Sequence, residues 1–384
     1  MAIEGLGGNV RRHMKFRGFT VPELARRAEM STPALSNLLN GKADPRSSTL
    51  INLARALEVP VGKLIEAQPE LKSVRFRTAK TLSGREKAER DQLRNDTAIW
   101  LSNFAFLEEE LGDRMSYKLK GMRFGSPGAA ARKVRKELVC DAVSPIADIA
   151  HLVEEAGIKL RIHPFGFKKT FGLSIGIDDK GPAIVVNSES GISIERQIFT
   201  VAHELGHLVL HPRSYGLERQ EENDTEEAEA NLFAGNFLLP EESLKAEWEQ
   251  QSGRNWIKSV LHIKRKYKVS YLTVLVRLKQ VYPGYANLLL EREFANEFKR
   301  LYNHDLKNHY EPDALETMVA EKEYPDSLSE NDFVEDRFSR LIREAYEAER
   351  ISLSRAAEMR NYSIEEMRDL VRMWQAMSGK KESV

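Results

Sequence analysis

The chain has 384 residues, 41% of them hydrophobic and 30% charged, with a formal net charge of zero, which is typical of a protein with several globular domains. It has no apolar run of the ~20 residues that a membrane span needs, and its first residues lack the apolar core of a secretory signal, so we expect no membrane partner. The single cysteine, Cys140, excludes an intramolecular disulfide and favours a cytoplasmic location.

The two parts of the chain differ in charge. Residues 1–136 contain 26 Lys and Arg against 15 Asp and Glu, a net +11, so the remaining residues carry −11. A basic first part favours a nucleic-acid partner at that end, although solvated basic helices would give the same count.

The first predicted helices lie in FTVPELARRAEMSTPALSNLLNG, residues 19–41. Thr20 and Ser31 predict the N-caps of two short helices, and Asn40 followed by Gly41 predicts the end of the second. Two short helices joined by a brief turn are typical of a helix-turn-helix, whose second helix enters the major groove of DNA.

This segment resembles the XRE (Cro/repressor-like) helix-turn-helix family over roughly residues 8–66, and we assign residues 1–70 to such a domain. The resemblance implies a double-stranded DNA partner. It implies base contacts from the second helix and phosphate contacts after it, at Thr32, Pro33, Asn37, Lys42 and Arg46. Threonine and proline stand where the family usually has long amides, which predicts weaker and more apolar base readout. A small helical domain used for dimerisation is the alternative.

Residues 71–126 are predicted to form a helical linker. Within REKAERDQLRNDTAIWLSNFAFLEEELG, Trp100, Phe104 and Leu107 recur at helical spacing and are interpreted as core residues. The Gly-Ser-Pro-Gly stretch at 125–128 is the clearest break in the chain, so the next domain is placed at 127–290.

That domain is predicted to be α+β. The β-branched runs IKLRIHPF, FGLSIGI and AIVVN predict a small sheet of about three strands that leads into a helix. The last run, residues 183–187, is a candidate sheet edge on which an extended substrate could add by backbone pairing, or an ordinary sheet strand.

The stretch FTVAHELGHLVLH places His203 and His207 four residues apart, on one side of a helix, with Glu204 between them. This H-E-x-x-H arrangement is typical of zinc peptidases, in which the histidines bind the metal and the glutamate is the general base. Two hydrogen-bonded core histidines would produce the same spacing.

A third ligand is sought in NDTEEAEANLFAGNFLLP, residues 223–240. Glu226 and Glu227 both fall on the apolar face of this predicted helix, whereas Glu229 lies off that face. A buried carboxylate is costly without a partner, so an acid on the apolar face favours a bound cation. A capping role with Asp224 is the alternative for Glu227, and spacing does not separate the two candidate acids.

The two stretches together resemble the ImmA/IrrE family of metallopeptidases, and the likeness extends from SPGAAARKVRKEL to KVSYLTVLVRL, residues 268–278. The resemblance implies a zincin-like fold and Zn²⁺ as cofactor. In this family the ligand glutamate lies four residues before an Asn or Asp, so Asn231 selects Glu227 as third ligand beside His203 and His207. Asn231 itself would orient a ligand.

Further polar residues are candidates for roles beside the ligands. His211 lies one turn after His207, but the metzincin interval and glycine are missing, so it is placed beside the ligands rather than among them. A second donor to the reacting carbonyl is expected, and Tyr215, Arg277 and His262 stay open.

Residues 291–384 are predicted to form a helical C-terminal region. Its segment 311–336 has ten acids and one base, too acidic for DNA, and the helices after it are interpreted as a packing or dimerisation element that allows a homodimer.

The sequence therefore predicts a DNA-binding transcription regulator with a zinc-dependent endopeptidase domain. Members of the family it resembles are associated with cleaving repressors, which implies a repressor or other regulatory protein as substrate. The alternative is a non-proteolytic XRE repressor or antitoxin whose metallopeptidase-like domain senses a ligand or binds a partner.

Overall fold

The structure is a computed structural model that describes residues 5–65, 71, 73–78, 84–122, 124–139, 141, 143–215, 223–251, 253–303, 305–306 and 328–379. Cys140 and the acidic residues 311–327 lie outside the described residues. The chain divides into two compact units: the first contains Met1–Glu70, Arg90–Arg114 and Phe338–Val384, and the second contains Leu71–Glu89 and Met115–Arg337. The residues assigned to a linker, 71–126, are thus divided between the units.

The first unit begins with five helices, α1 (Leu6–Phe16), α2 (Val21–Arg27), α3 (Thr32–Leu39), α4 (Ser47–Leu57) and α5 (Val61–Ile65). The side chain of Thr20 accepts a hydrogen bond from the Glu23 amide, and that of Ser31 accepts one from the Ala34 amide, so both predicted N-caps are present. A common apolar core, with Leu24 among its fully buried residues, holds the five helices together.

The next elements are a strand, β1 (Val74–Thr78), and a long helix, α6 (Gly84–Leu111). The helix agrees with the sequence prediction, and Trp100, Phe104 and Leu107 are buried in it. The strand corrects the prediction that residues 71–126 form a helical linker. Its alternation of apolar and polar residues is short and lies among charged residues, so the local strand signal is weak. Pairing with a distant strand stabilises it.

The second unit contains α7 (Pro127–Leu138), α8 (Ile149–Glu155), β2 (Lys159–His163), β3 (Thr170–Ile175), β4 (Ala183–Asn187), α9 (Ile194–Leu210) and α10 (Asp224–Leu238). Within the described residues, β1 and these three strands form one mixed sheet in the order β1-β3-β4-β2. β3 is antiparallel to β1 and β4, whereas β2 and β4 are parallel.

The strand β4 is central in this sheet, because β3 pairs on one side of it and β2 on the other. All five of its residues are buried, as expected for a strand covered on both faces. The suggestion that residues 183–187 form an edge for an added peptide is therefore wrong.

Two helices lie close together over the sheet. α9 packs on β3 and β4 with one side and on α10 with another. Gly206 permits this approach, since a Cβ added there would lie 3.0 Å from Cδ1 of Phe233. The two helices are therefore held at a spacing that a larger residue would change.

The remaining helices are α11 (Glu241–Gln250), α12 (Trp256–Tyr267), α13 (Tyr271–Val281), α14 (Leu290–Tyr302), α15 (Arg337–Glu347), α16 (Leu353–Arg360) and α17 (Ile364–Gly379). In the first unit, the rings of Phe104 and Phe338 stack at 5.3 Å. None of the helices in the described parts of the chain is long and apolar enough to cross a bilayer. The predicted fold class is confirmed: a helical helix-turn-helix region, an α+β domain with a small sheet, and a helical C-terminal region.

The contact between α9 and β3 leads to a stability prediction. A Cβ added at Gly172 would lie 2.5 Å from Cγ2 of Thr200 and 3.1 Å from the Val185 carbonyl oxygen. Gly172→Ala should therefore lower the free energy of unfolding by about 1–3 kcal/mol, measured by urea denaturation. Gly284→Ala is the matched control, because nothing lies within 4 Å of a Cβ added there. Equal midpoints for the two variants would contradict the close packing at β3.

Candidate metal centre and DNA-binding helix

The helix α9 carries the two histidines of the H-E-x-x-H motif into the core of the second unit. It begins at Ser193, whose side chain accepts a hydrogen bond from the Arg196 amide, and the four-residue spacing directs both imidazoles to one side. His203 is 0% exposed and His207 is 1% exposed. Their Nε2 atoms lie 2.9 Å apart.

The helix α10 brings a carboxylate to the same point. Oε2 of Glu227 lies 3.1 Å from Nε2 of His203, and Oε1 lies 3.1 Å from Nε2 of His207. The side chain of Asn223 caps the helix, so Glu227 turns towards the histidines rather than towards a cap. Burial acts to raise the pKa of Glu227, but its close contacts with both histidines outweigh burial and lower it strongly.

Two further contacts fix how the histidine rings are protonated. Nδ1 of His203 lies 2.9 Å from Oδ1 of Asn231, so Nδ1 donates and the lone pair of Nε2 faces the centre. Nδ1 of His207 lies 3.0 Å from Nδ1 of His211, whose Nε2 lies 2.8 Å from Oε2 of Glu229. Because Nε2 of His211 donates to Glu229, Nδ1 of His211 accepts from Nδ1 of His207. The Nε2 lone pair of His207 is then free to bind a metal ion.

Burial lowers the pKa of His207 to about 4, despite the opposing contact with Glu227. The ring is therefore neutral near pH 7, which is the state that binds a metal ion.

Glu204 is buried but is not part of this three-residue cluster, whose ligand atoms lie within 4.8 Å of one another. The hydroxyl of Ser174, on β3, donates to Oε2 of Glu204 at 2.5 Å, and the hydroxyl of Tyr215 donates to Ser174 at 2.9 Å. Burial, and next the charge of Glu204, raise the pKa of Tyr215 well above its ordinary value, so the phenol stays a donor. These hydrogen bonds hold the carboxylate in place.

The sequence left three residues open as a second donor, and the structure separates their positions. Tyr215 lies in the hydrogen-bonded chain that ends at Glu204. Arg277 donates to the Leu239 carbonyl and to Gln280, and His262 lies 3.4 Å from a carboxylate oxygen of Glu247. Of these three residues, Tyr215 is the one bonded to the surroundings of Glu204.

An arginine from β1 reaches the same centre. Arg75 forms ion pairs with Glu226 and, at 3.0 Å, with Oε1 of Glu227, and its side chain is 11% exposed. The hydroxyl of Ser214 also donates to Glu226 at 2.8 Å. Burial acts to raise the pKa of Glu226, and the bonds from Arg75 and Ser214 lower it. Sequence reasoning missed Arg75, because it lies 151 residues before Glu226 and in a segment predicted to be helical.

The donor set is suited to a catalytic metal ion. Two neutral imidazole nitrogens and one carboxylate are the protein ligands of His₂Glu zinc sites, which keep a fourth position open. The two Nε2 lone pairs would repel each other at 2.9 Å without a cation between them and Glu227. His203, His207 and Glu227 therefore form a cluster that can hold a metal ion.

The helix α3 is the candidate DNA-reading element in the first unit. Leu35 and Leu38 are buried in the core, whereas Thr32, Pro33 and Asn37 are exposed on the other side. Lys42 and Arg46, which follow the helix, are exposed as well. The five residues predicted to contact DNA are thus accessible to a partner.

Comparison with protein families identifies both parts of the chain. Residues 9–70 match the Cro/C1-type helix-turn-helix DNA-binding domain, and residues 153–279 match the IrrE N-terminal-like domain of peptidases. A search of curated proteins found no significant match. The chain therefore contains a segment similar to a Cro/C1-type helix-turn-helix domain, followed by one similar to an IrrE N-terminal-like peptidase domain, which is the combination that the sequence predicted.

The geometry predicts which substitutions remove a bound metal. We expect about one Zn²⁺ per chain by elemental analysis, lost in His203→Ala and in Glu227→Ala. Glu226→Ala is the matched control and should keep the metal, because Glu226 binds Arg75 and Ser214. Asn231→Ala should keep the stoichiometry but weaken the affinity about 10–100-fold. Zinc retained in Glu227→Ala and lost in Glu226→Ala would show that the other glutamate is the ligand.

Proposed function

We propose that the protein is a transcription regulator that binds double-stranded DNA and cleaves a regulatory partner protein with a zinc-dependent endopeptidase domain. The observation that supports this most is the convergence of His203, His207 and Glu227. A buried glutamate, Glu204, lies next to them and is not one of the three candidate ligands. A structural zinc site would not need a positioned acid next to its ligands. The single cysteine and the DNA-binding domain support action in the cytoplasm.

The ligands would hold Zn²⁺ through Nε2 of both histidines and the carboxylate of Glu227. When bound, zinc polarises a peptide carbonyl and lowers the pKa of a coordinated water towards about 7. Asn231 and the pair formed by His211 and Glu229 keep both rings in the binding tautomer, so no tautomer has to change on loading.

Glu204 is assigned the role of general base. Its carboxylate takes the proton released when water adds to the peptide carbonyl and passes it to the leaving amine nitrogen. Ser174 and Tyr215 act as positioning residues, because their hydrogen bonds fix the direction of that carboxylate. Burial and the hydrogen bonds from Tyr215 through Ser174 together favour a single orientation of the Glu204 carboxylate.

The first mechanistic test replaces the base and keeps its shape. Glu204→Gln retains an oxygen that can accept from Ser174 but cannot take a proton, so fold, zinc content and DNA binding should survive. Cleavage of the natural partner should fall by at least ~100-fold. His211→Gln is the control and should have a smaller effect. A well-folded, zinc-loaded Glu204→Gln protein that cleaves at the parent rate would eliminate this mechanism.

The partner can be identified with the same variant. Glu204→Gln protein crosslinked in cells should retain a protein that the parent cuts, and the cut is detected by mass spectrometry. A partner that is bound and never cut by the parent would favour the non-proteolytic alternative, in which the domain senses or binds a regulator.

The DNA-binding role has its own test. Lys42→Ala should weaken binding to all DNA sequences alike and reduce the slope of log affinity against log salt by about 1, since one phosphate contact is lost. Asn37→Ala should instead lose about 1–3 kcal/mol of preference for the operator over unrelated DNA. Fluorescence anisotropy over a salt series measures both quantities. Unchanged binding after deletion of residues 1–70 would show that DNA contacts lie elsewhere.

A further inference from the structure

The strand β1 is an addition to the sheet of the peptidase domain. The family match at residues 153–279 contains β2, β3 and β4, whereas β1 comes from residues 74–78, directly after the helix-turn-helix match. β1 is the outer strand of the sheet and pairs with β3 alone among the described strands. Without β1, β3 would be the edge strand nearest Glu204.

The register of β1 directs its arginine to the metal centre. Arg75 lies opposite Ser174, and residues directly opposite in an antiparallel pair project from the same face. Ser174 holds Glu204 on that face, so Arg75 enters the same space. There it meets Glu226 and Glu227 in ion pairs that are largely shielded from water.

An extended peptide that pairs with a sheet edge, with alternate side chains in pockets, is a general mode of peptide recognition. β1 has this arrangement relative to β3, with Arg75 ion-paired to Glu226, which also accepts a hydrogen bond from Ser214. Charge supports the fit: the segment LKSVRFRTAK, residues 71–80, has four basic and no acidic residues, and the first turn of α10 carries Asp224, Glu226 and Glu227.

We propose that β3 is the peptide-binding edge of the peptidase domain, that the chain's own β1 occupies it as a substrate-like strand, and that Glu226 with Ser214 forms a subsite for a basic side chain. This inference rests on the proposed peptidase function and adds its substrate class, a basic extended peptide. Such a peptide gains access when β1 leaves the edge.

Several features of β1 favour its dissociation from the edge of β3. It has five residues, pairs only with β3 in the part of the sheet that the structure describes, and has an irregular register between Arg77 and Thr78, as is typical of a short edge strand. Arg75 is its anchor to the centre, because that side chain bonds to two carboxylates at once. Loss of the anchor should shift the equilibrium towards the open edge.

The test uses the full-length chain with Glu204→Gln, with and without zinc, so that neither metal nor cleavage decides the result. The probe is a fluorescein-labelled peptide LKSVRFRTAK, followed by anisotropy. We expect Arg75→Ala to bind it about tenfold or more tightly than the parent, because more molecules have the edge open. Arg161→Ala, on β2 at the other side of the sheet, is the matched control and should bind like the parent.

The same samples give a second readout. Hydrogen exchange of the β3 segment should rise in Arg75→Ala, while exchange in α10 stays as in the parent and shows that the domain is folded. A second peptide has Glu in place of the arginine that corresponds to Arg75. It should fail to bind the Arg75→Ala protein, because the new carboxylate of the peptide would be repelled by Glu226. If Arg75→Ala does not fold, Arg75→Lys carries the test, since it keeps the charge but loses the two-carboxylate geometry.

Three results would overturn the proposal. Unchanged β3 exchange and unchanged peptide affinity would show that β1 is a fixed part of the sheet. Faster exchange without peptide binding, or equal binding of both peptides, would show that the open edge has no basic subsite. None of these results depends on catalysis, so a parent protein that binds its partner and never cuts it would refute the proposed function and leave this test intact.

Discussion

The rest of the second unit depends on one unfavourable contact, two imidazole lone pairs directed at each other inside the core. Nε2 of His203 and Nε2 of His207 lie 2.9 Å apart, both rings are buried, and a cation between the two lone pairs would relieve their repulsion. The neighbouring carboxylate of Glu227 makes the preference for a cation stronger. The capping of both helices, their close packing and the hydrogen bonds behind each ring serve to hold these three groups where an ion can bind them.

The centre is also joined to the sheet by two opposed residues. Ser174 on β3 holds Glu204, the proposed base, and Arg75, directly opposite on β1, holds the carboxylate of Glu227 on the same face of the strand pair. A displacement of β1 would thus move Glu227 through its ion pair with Arg75, and Glu204 through the pairing of β1 with β3. The small sheet therefore positions Glu204 and Glu227 as well as supporting α9.

The sequence predicted the elements that depend on local signals and missed those that depend on distant pairing. Caps at Thr20 and Ser31 and the histidine spacing of α9 are local, and the structure has them. The strand β1 follows from pairing with β3 about a hundred residues later, and the central position of β4 follows from β2 and β3 pairing on its two sides; no local pattern encodes either. Glu229 was set aside because it lies off the apolar face, and there it meets His211 at the rim.

The division of the ligands between two helices has a thermodynamic consequence. His203 and His207 lie on α9, Glu227 lies on α10, and Gly206 sets their spacing, so the unfolded chain has no preformed site. An ion that binds the folded state alone stabilises it by about 2.7 kcal/mol when its free concentration is 100 times the Kd. Within a cell, the fraction of this domain that is folded would rise and fall with the supply of the metal.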